Sequence, residues 1–201
     1  GQMSLAHTLA ASRAARNVVL LGDPQQLQQP QRGAHPEGAE TSALLHLLGG
    51  APTMPPARGL FLGTTWRLAP AICAFTSAAY YEDRLTPLPG LESQPVLGPS
   101  PFVGEGLVYV PVPHEGNQSR ADEEVGAVAD VLGLLCAGDH QWVDRQGARH
   151  TLDIRDVLIV APYNAQVAAL SEALPAGARV GTVDKFQGQE AAVVIYSMTS
   201  S

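Results

Sequence analysis

The chain has 201 residues, 45% of them hydrophobic and 15% charged, with a mean hydropathy of +0.03. That balance excludes a disordered or membrane-spanning class, and the length admits one large or two small domains with a real core. Its 12 basic residues against 19 acidic ones leave a net charge of −7, which argues against a surface that grips nucleic acid by counterion release alone.

In chain order, residues 3–15 read as a helix with Met3, Leu5, Ala6, Leu9 and Ala10 on one side. The run from Val18 to Leu21, closed by Gly22-Asp23-Pro24, fits a strand buried on both faces of a parallel sheet. Residues 28–39 are loop. Residues 41–50 are a short helix capped by Thr41 or Ser42 and stopped by Gly49-Gly50. Three Pro and one Gly in residues 51–59 mark the domain boundary. A strand and turn over 59–70, a helix over 71–85, a Pro/Gly-rich crossing from Thr86 to Gly106 and a strand over 106–112 follow. Residues 121–138 form a helix with Asp122 and Glu123 in its first turn, where they suit the dipole. A turn or hairpin surrounds Asp144–Gly147, and a buried strand beginning at Asp156 leaves into a turn at Pro162. The chain closes with a helix over 165–174, a short strand over 178–180, a loop over 181–190 and a strand over 191–198. Strands alternating with helices of about ten to fifteen residues predict an α/β fold with a parallel sheet.

Other classes fall away on spacing. Eleven of the basic residues are Arg, and the one Lys, Lys185, follows Asp184 rather than the Gly of a G-x-x-x-x-G-K-[ST] phosphate loop. No G-x-G-x-x-G follows a predicted strand, which leaves a dinucleotide-binding enzyme without its fingerprint. No apolar stretch approaches the ~18 to 20 residues of a membrane helix, and the first residues lack a signal-peptide layout. Cys73 and Cys136 sit in apolar runs and read as buried free thiols of a reducing compartment. The six His form no metal-ligand spacing, so no metal site is expected.

Ligands of open α/β sheets bind beyond the carboxyl ends of the strands. Four segments place polar residues there: Gly22 to Leu27, Thr64 to Arg67, Pro162 to Gln166 and Gly181 to Glu190. Each alone is ordinary, as a turn, a packed aromatic beside a cation, a tyrosine plug, or a Gly that accepts positive φ. Together and in order they resemble the motor of superfamily 1 helicases, in the 5′-to-3′ branch typified by the nonsense-mediated-decay RNA helicase. Gly22 to Leu27 matches GDPxQL of motif III. Thr65-Trp66-Arg67, Pro70, Phe75 and Tyr80-Tyr81 follow motif IV, with Thr65-Trp66 in place of the usual Gln-Tyr. Pro162 to Gln166 matches PYxxQ, and Thr182 to Glu190 matches TVDxFQGxE of motif V, the most specific of the four.

The resemblance implies a RecA-like parallel sheet flanked by helices, of the P-loop NTPase-like kind. Residues 1–57 would be the C-terminal part of a first lobe, and 58–201 a second lobe lacking motif VI. The phosphate loop and the acids that hold Mg²⁺ would lie outside this stretch, whose opening Gly1-Gln2-Met3-Ser4 looks like the continuation just past those acids. The expected ligands are ATP with Mg²⁺ and single-stranded DNA or RNA. Gln26 would donate to the γ-phosphate or hold the attacking water, and Arg67 would be an arginine finger in cis, worth on the order of 10³ to 10⁵ in rate. Gly22 and Asp23 would line the nucleotide site. Gly188 would let backbone approach phosphate, with Gln187 beside it and Glu190 on the ribose hydroxyls. Tyr163 would offer a face to adenine or a base, or simply pack, and Gln166 a bidentate edge. Thr182 and Asp184 would meet the nucleic-acid backbone or bridge to motif III, Asp184 as a relay because phosphate repels a carboxylate. The rival reading is a catalytically inactive lobe kept as a scaffold for nucleic acid or protein. A cytoplasmic protein is expected, from a GC-rich and plausibly bacterial genome, with room for a fused nuclease or accessory domain.

Overall fold

In the computed structural model, residues 3–27, 35–36 and 38–201 are described. The helices and strands are α1 (Leu5–Ser12), α2 (Ala43–Leu48), β1 (Thr64–Thr65), α3 (Pro70–Tyr80), β2 (Thr86–Pro87), β3 (Val96–Leu97), α4 (Asp122–Leu135), β4 (Gln141–Val143), β5 (Arg149–Thr151), β6 (Val157–Val160), α5 (Asn164–Ala173), β7 (Arg179–Gly181), α6 (Val183–Phe186) and β8 (Val193–Tyr196). Of the loop expected over 28–39, residues 28–34 and 37 lie outside the described residues, as do Gly1 and Gln2. The chain divides into two compact units, one of Gly1–Trp66 with Cys73–Pro87, the other of Arg67–Ile72 with Leu88–Ser201.

In the first unit, the Leu5 amide donates to Thr41 at 2.7 Å and the Ala43 amide to Met3 at 3.0 Å, which joins the starts of α1 and α2. Ser42 caps α2 through the Leu45 amide, and Gly49 ends it at φ 60°, a left-handed conformation suited to a residue without Cβ. Helix α1 buries none of its residues, despite its apolar side. Past α3 the chain is turned by two consecutive left-handed residues, Glu82 (φ 53°) and Asp83 (φ 57°). Each such non-Gly residue costs on the order of 1 kcal/mol or more and persists only where its surroundings hold it. Here the Glu82 carboxylate accepts from the buried Thr53 hydroxyl, which accepts in turn from Arg84. The turn lets β2 run parallel to β1, pairing Thr64 with Thr86.

In the second unit, a parallel sheet in the order β7-β6-β8 places β6 at the centre, with all four of its residues buried. Side chains alternate across a strand, and β6 divides accordingly. Val157, Ile159 and Ala161 join Val125, Val128 and Leu132 of α4 and Ala169 and Leu170 of α5, whereas Leu158 and Val160 meet Phe186 of α6. A separate antiparallel sheet, β3-β4-β5, contains the predicted hairpin; Asp144 Oδ1 closes its turn by accepting from the Gln146 and Ala148 amides at 2.9 Å. The result is a mixed α/β fold with parallel sheets and helices, consistent with a RecA-like P-loop NTPase-type domain.

Three predicted strands do not form. Residues 18–21, 59–63 and 106–112 form no strand, and most of their side chains are exposed, Val19 80% and Leu60 90%, with Leu20, Phe61 and Val112 half-buried. Apolar, β-branched residues favour extension, but a strand exists only where a neighbour takes its backbone hydrogen bonds. Among the described residues no ladder forms on 18–21 or 106–112, and 59–63 meets β2 only at its end, where the Gly63 carbonyl accepts from the Thr86 amide at 2.8 Å. The predicted strand over 178–180 forms as β7, and the predicted loop over 181–190 contains α6. Both cysteines are free, Cys73 buried and Cys136 half-buried, and burial pushes both thiols up.

Candidate functional site

In the first unit, Gly22 to Leu27 form an exposed turn ordered around Asp23. Asp23 Oδ1 accepts from the Gln25 amide at 2.9 Å, and Oδ2 accepts from Gln26 Nε2 at 3.0 Å and from the Tyr81 hydroxyl. Gln25 Nε2 donates to the Pro52 carbonyl at 2.8 Å, anchoring the turn. Tyr81 is half-buried against Phe61, ring centroids 6.1 Å apart, and the Arg84 guanidinium covers the Phe61 ring at 4.5 Å. Burial, then the Asp23 hydrogen bond and charge, push the Tyr81 hydroxyl far above its usual range, so it remains a donor.

In the second unit, the residues that follow β6 and β7 lie beyond the carboxyl ends of these strands, where the α/β rule places ligands. Tyr163 is 41% exposed at the entry to α5. Gln166, two residues into that helix, is fully buried. Its Oε1 accepts from the Ala121 amide at 2.8 Å, and its Nε2 donates to the Ala121 carbonyl at 3.1 Å and to Ser197 Oγ at 3.0 Å. The bidentate edge offered to a ligand is therefore used inside the protein.

Beyond β7, Thr182 stands at the N-terminal boundary of α6, without a side-chain bond to it, and Asp184 is exposed in the first turn. Lys185 Nζ donates to the Val180 carbonyl at 2.7 Å, folding back over Gly181. Gly188 is left-handed (φ 81°), with nothing within 4 Å of where a Cβ would stand, so backbone is accessible there. Gln189 is fixed from two sides, accepting from Arg179 Nη2 at 2.8 Å and donating to the Lys185 carbonyl at 3.1 Å. The loop ends at Glu190, whose carboxylate lies 3.6 Å from Arg67 Nε. Two residues predicted from separate motifs, 123 positions apart by their numbering (190 − 67), are thus neighbours, each side chain more than half exposed. Gln187 is exposed beside Gly188.

A buried network around Glu124 was not predicted. Glu124 accepts from the Thr199 amide with both oxygens at 3.0 Å and from the Ser197 hydroxyl, and it faces His114 Nε2 at 3.0 Å. Burial alone would raise its pKa, but the hydrogen bonds from Ser197, His114 and Thr199 outweigh it and hold the carboxyl below its ordinary range. The signal was available: Glu124 stands four residues before Val128, on the stripe of α4 that continues through Leu132 and Leu135 into the core. Among the described residues, no group of three or more His, Cys, Asp and Glu is placed to hold a metal.

Residues 42–201 match the family profile AAA_12, described as an AAA domain. The chain belongs to this family. It is a superfamily 1 helicase-type domain, similar to the human protein named "3'-5' exoribonuclease HELZ2", at 30% identity over 91% of this chain and 6% of that protein. It is also similar to mouse HELZ2, at 31% over 92% of this chain and 6% of the relative. A third relative, the "DNA polymerase alpha-associated DNA helicase A" of Schizosaccharomyces pombe, is 23% identical over 92% of this chain and 28% of its own length. The chain thus spans a small part of these relatives, and they lend no support to the expected bacterial origin. No solved structure matches. Among the described residues, no helix is long and apolar enough to cross a membrane.

Proposed function

We propose that this chain is part of an ATP-driven helicase or translocase that moves along single-stranded DNA or RNA, residues 1–57 belonging to one RecA-like lobe and 58–201 to the next. The observation that carries the reading is the meeting of Arg67 with Glu190 at the end of the motif V loop. An exposed ion pair is worth at most about 1 kcal/mol, so the Glu190 contact by itself competes only weakly with phosphate for Arg67. Glu190 then turns to ribose hydroxyls, and the open backbone at Gly188 approaches phosphate, with Gln187 beside it. Arg67, planar and multiply donating, stabilises charge on the transferring phosphoryl group, a task for which Lys is a poor substitute. Gly22 and Asp23 shape the turn that presents Gln26. Tyr163 stacks on a base, while Thr182 and Asp184 face the nucleic-acid backbone. Gln166 acts from within by holding α4 and the end of β8 together. Mg²⁺ would be held by residues outside this chain, as would the main phosphate contacts. A fused nuclease fits the "exoribonuclease" in the name of two relatives.

The test is ATP hydrolysis by a longer protein that carries this chain, with the 201-residue chain alone as the comparison. The chain alone should be inactive. In the longer protein Arg67→Ala should lower kcat by on the order of 10³ or more. Hydrolysis indifferent to both Arg67→Ala and Gln26→Ala defeats the reading in favour of an inactive scaffold.

A further inference from the structure

We propose that Tyr81 is a positioning residue for Gln26, acting through Asp23 to turn the oxygen end of the Gln26 amide outward, where it accepts from the water that attacks ATP. This inference rests on the reading of the chain as part of an ATP-hydrolysing motor, and it chooses between the two roles, donor to phosphate or holder of water, that the sequence leaves open for Gln26.

A carboxylate accepts hydrogen bonds and donates none, so the Gln26 atom 3.0 Å from Asp23 Oδ2 is the nitrogen. The amide is planar, and with Nε2 held against Asp23 its Oε1 is turned away from that carboxylate. What fixes the amide is therefore whatever fixes Asp23. Two of the three donors on Asp23, the Gln25 amide and Gln26 Nε2, belong to the same turn and move with it. The third, the Tyr81 hydroxyl, comes from 58 residues further along the chain. Tyr81 is in turn fixed by its backbone bond to Ser77 at 2.9 Å and its tilted contact with Phe61. The left-handed pair Glu82-Asp83 follows it, held by the Thr53 and Arg84 bonds. A hydroxyl kept protonated by its surroundings is an unswitched donor, which suits a fixed support.

An amide is no base, and Gln26 takes no proton from the water. The water oxygen bonds to the γ-phosphorus while the bond from that phosphorus to the bridging oxygen of ADP breaks. The protons of the water leave with the products, and Gln26 Oε1 only holds one O–H in the direction that aims the attack.

Two experiments test this. In the longer, hydrolysing protein, Tyr81→Phe keeps the ring against Phe61 and removes the hydroxyl. It should lower kcat roughly tenfold, the value of one hydrogen bond to a charged partner, and leave the KM for ATP unchanged. Asp23→Asn, which lets either amide end face Gln26, should do the same. Combined with Gln26→Ala, Tyr81→Phe should add nothing further, because both act through one group. Rates that multiply in the double variant overturn the proposal, as does a change in KM alone. In the 201-residue chain, the NMR signals of the Gln26 side-chain amide should move to those of a solvent-exposed Gln in Tyr81→Phe while the α3 backbone signals stay. Unmoved Gln26 signals overturn the positioning role whatever the activity. Hydrolysis sensitive to Arg67→Ala and Gln26→Ala but not to Tyr81→Phe removes this inference and leaves the function reading intact.

Discussion

Replacing Glu124 with Gln is expected to destabilise the second unit by about 3 kcal/mol at neutral pH. The residue is 8% exposed, and Gln has nearly its shape, so packing contributes little to the difference. The loss lies in the hydrogen bonds. Both carboxylate oxygens receive the Thr199 amide at 3.0 Å, and the Ser197 hydroxyl and His114 Nε2 use the same two atoms. In Gln one of those atoms becomes an NH₂, which meets donors with a donor. Hydrogen bonds to a charged group are worth about 1.5–3 kcal/mol each, and a buried donor left unpaired costs about 1–3 kcal/mol. The Ser197 hydroxyl can rotate to accept instead, which recovers part of the sum. The pH dependence follows from the depressed pKa. Such a group stabilises fully above its unfolded value, ordinarily 4.5, and the contribution is lost as pH falls through the lower folded value. Urea unfolding of both proteins at neutral pH and well below 4.5, with hydrogen exchange at β6 amides to report on this unit, measures the difference. It should be large at neutral pH and shrink in acid. A difference under about 1 kcal/mol, or one equal at both pH values, refutes the reasoning.

Two further changes probe the frame around the site. Leu170→Ala, at a fully buried position between α5 and β6, should cost about 2–5 kcal/mol in urea unfolding, with the spread set by how far the site can collapse. Gly181→Ala would bring a Cβ within 2.4 Å of Lys185 Cδ and 3.1 Å of Phe186 Cε2. Lys185 must then leave the Val180 carbonyl, and hydrogen exchange should rise in α6 before it rises in β6.

The core of the second unit was legible because its signals are local. The run at 157–160, the helix at 165–174 and the hairpin at Asp144–Gly147 each declare themselves through period, length or turn chemistry, and each forms within a residue or two of expectation. The runs at 18–21, 59–63 and 106–112 carry the same apolar signal and form no strand, since a ladder is a property of two segments and the sequence displays one at a time. Gln166 and Glu124 stood in the same helical stripes as Leu170 and Val128, so their burial could be read from spacing. Their partners could not, because the Ala121 contact closes only when α5 packs beside the start of α4, and those of Ser197 and Thr199 only when β8 lies beside β6. The Tyr81–Asp23 contact is harder still, since it joins side chains 58 residues apart in the sequence.

The motif residues divide by how firmly they are held, and the division bears on which of them meet a ligand. Gln166 has three hydrogen bonds in a fully buried setting, and exchanging them for a nucleotide would leave the Ala121 backbone and the Ser197 hydroxyl unpaired in the interior. Arg67 and Glu190 lie at the other extreme, 3.6 Å apart and more than half exposed, where their attraction is screened and readily surrendered. Gln26 stands between these limits, with one end of its amide fixed by Asp23 and the rest of the side chain exposed. A group that must engage a ligand during each turnover needs a resting partner weak enough to lose and a scaffold strong enough not to move. By this criterion Gln166 and Glu124 are scaffold, and the function we propose would use Arg67 and Glu190 as exchanging contacts and Gln26 as both, through its two amide ends.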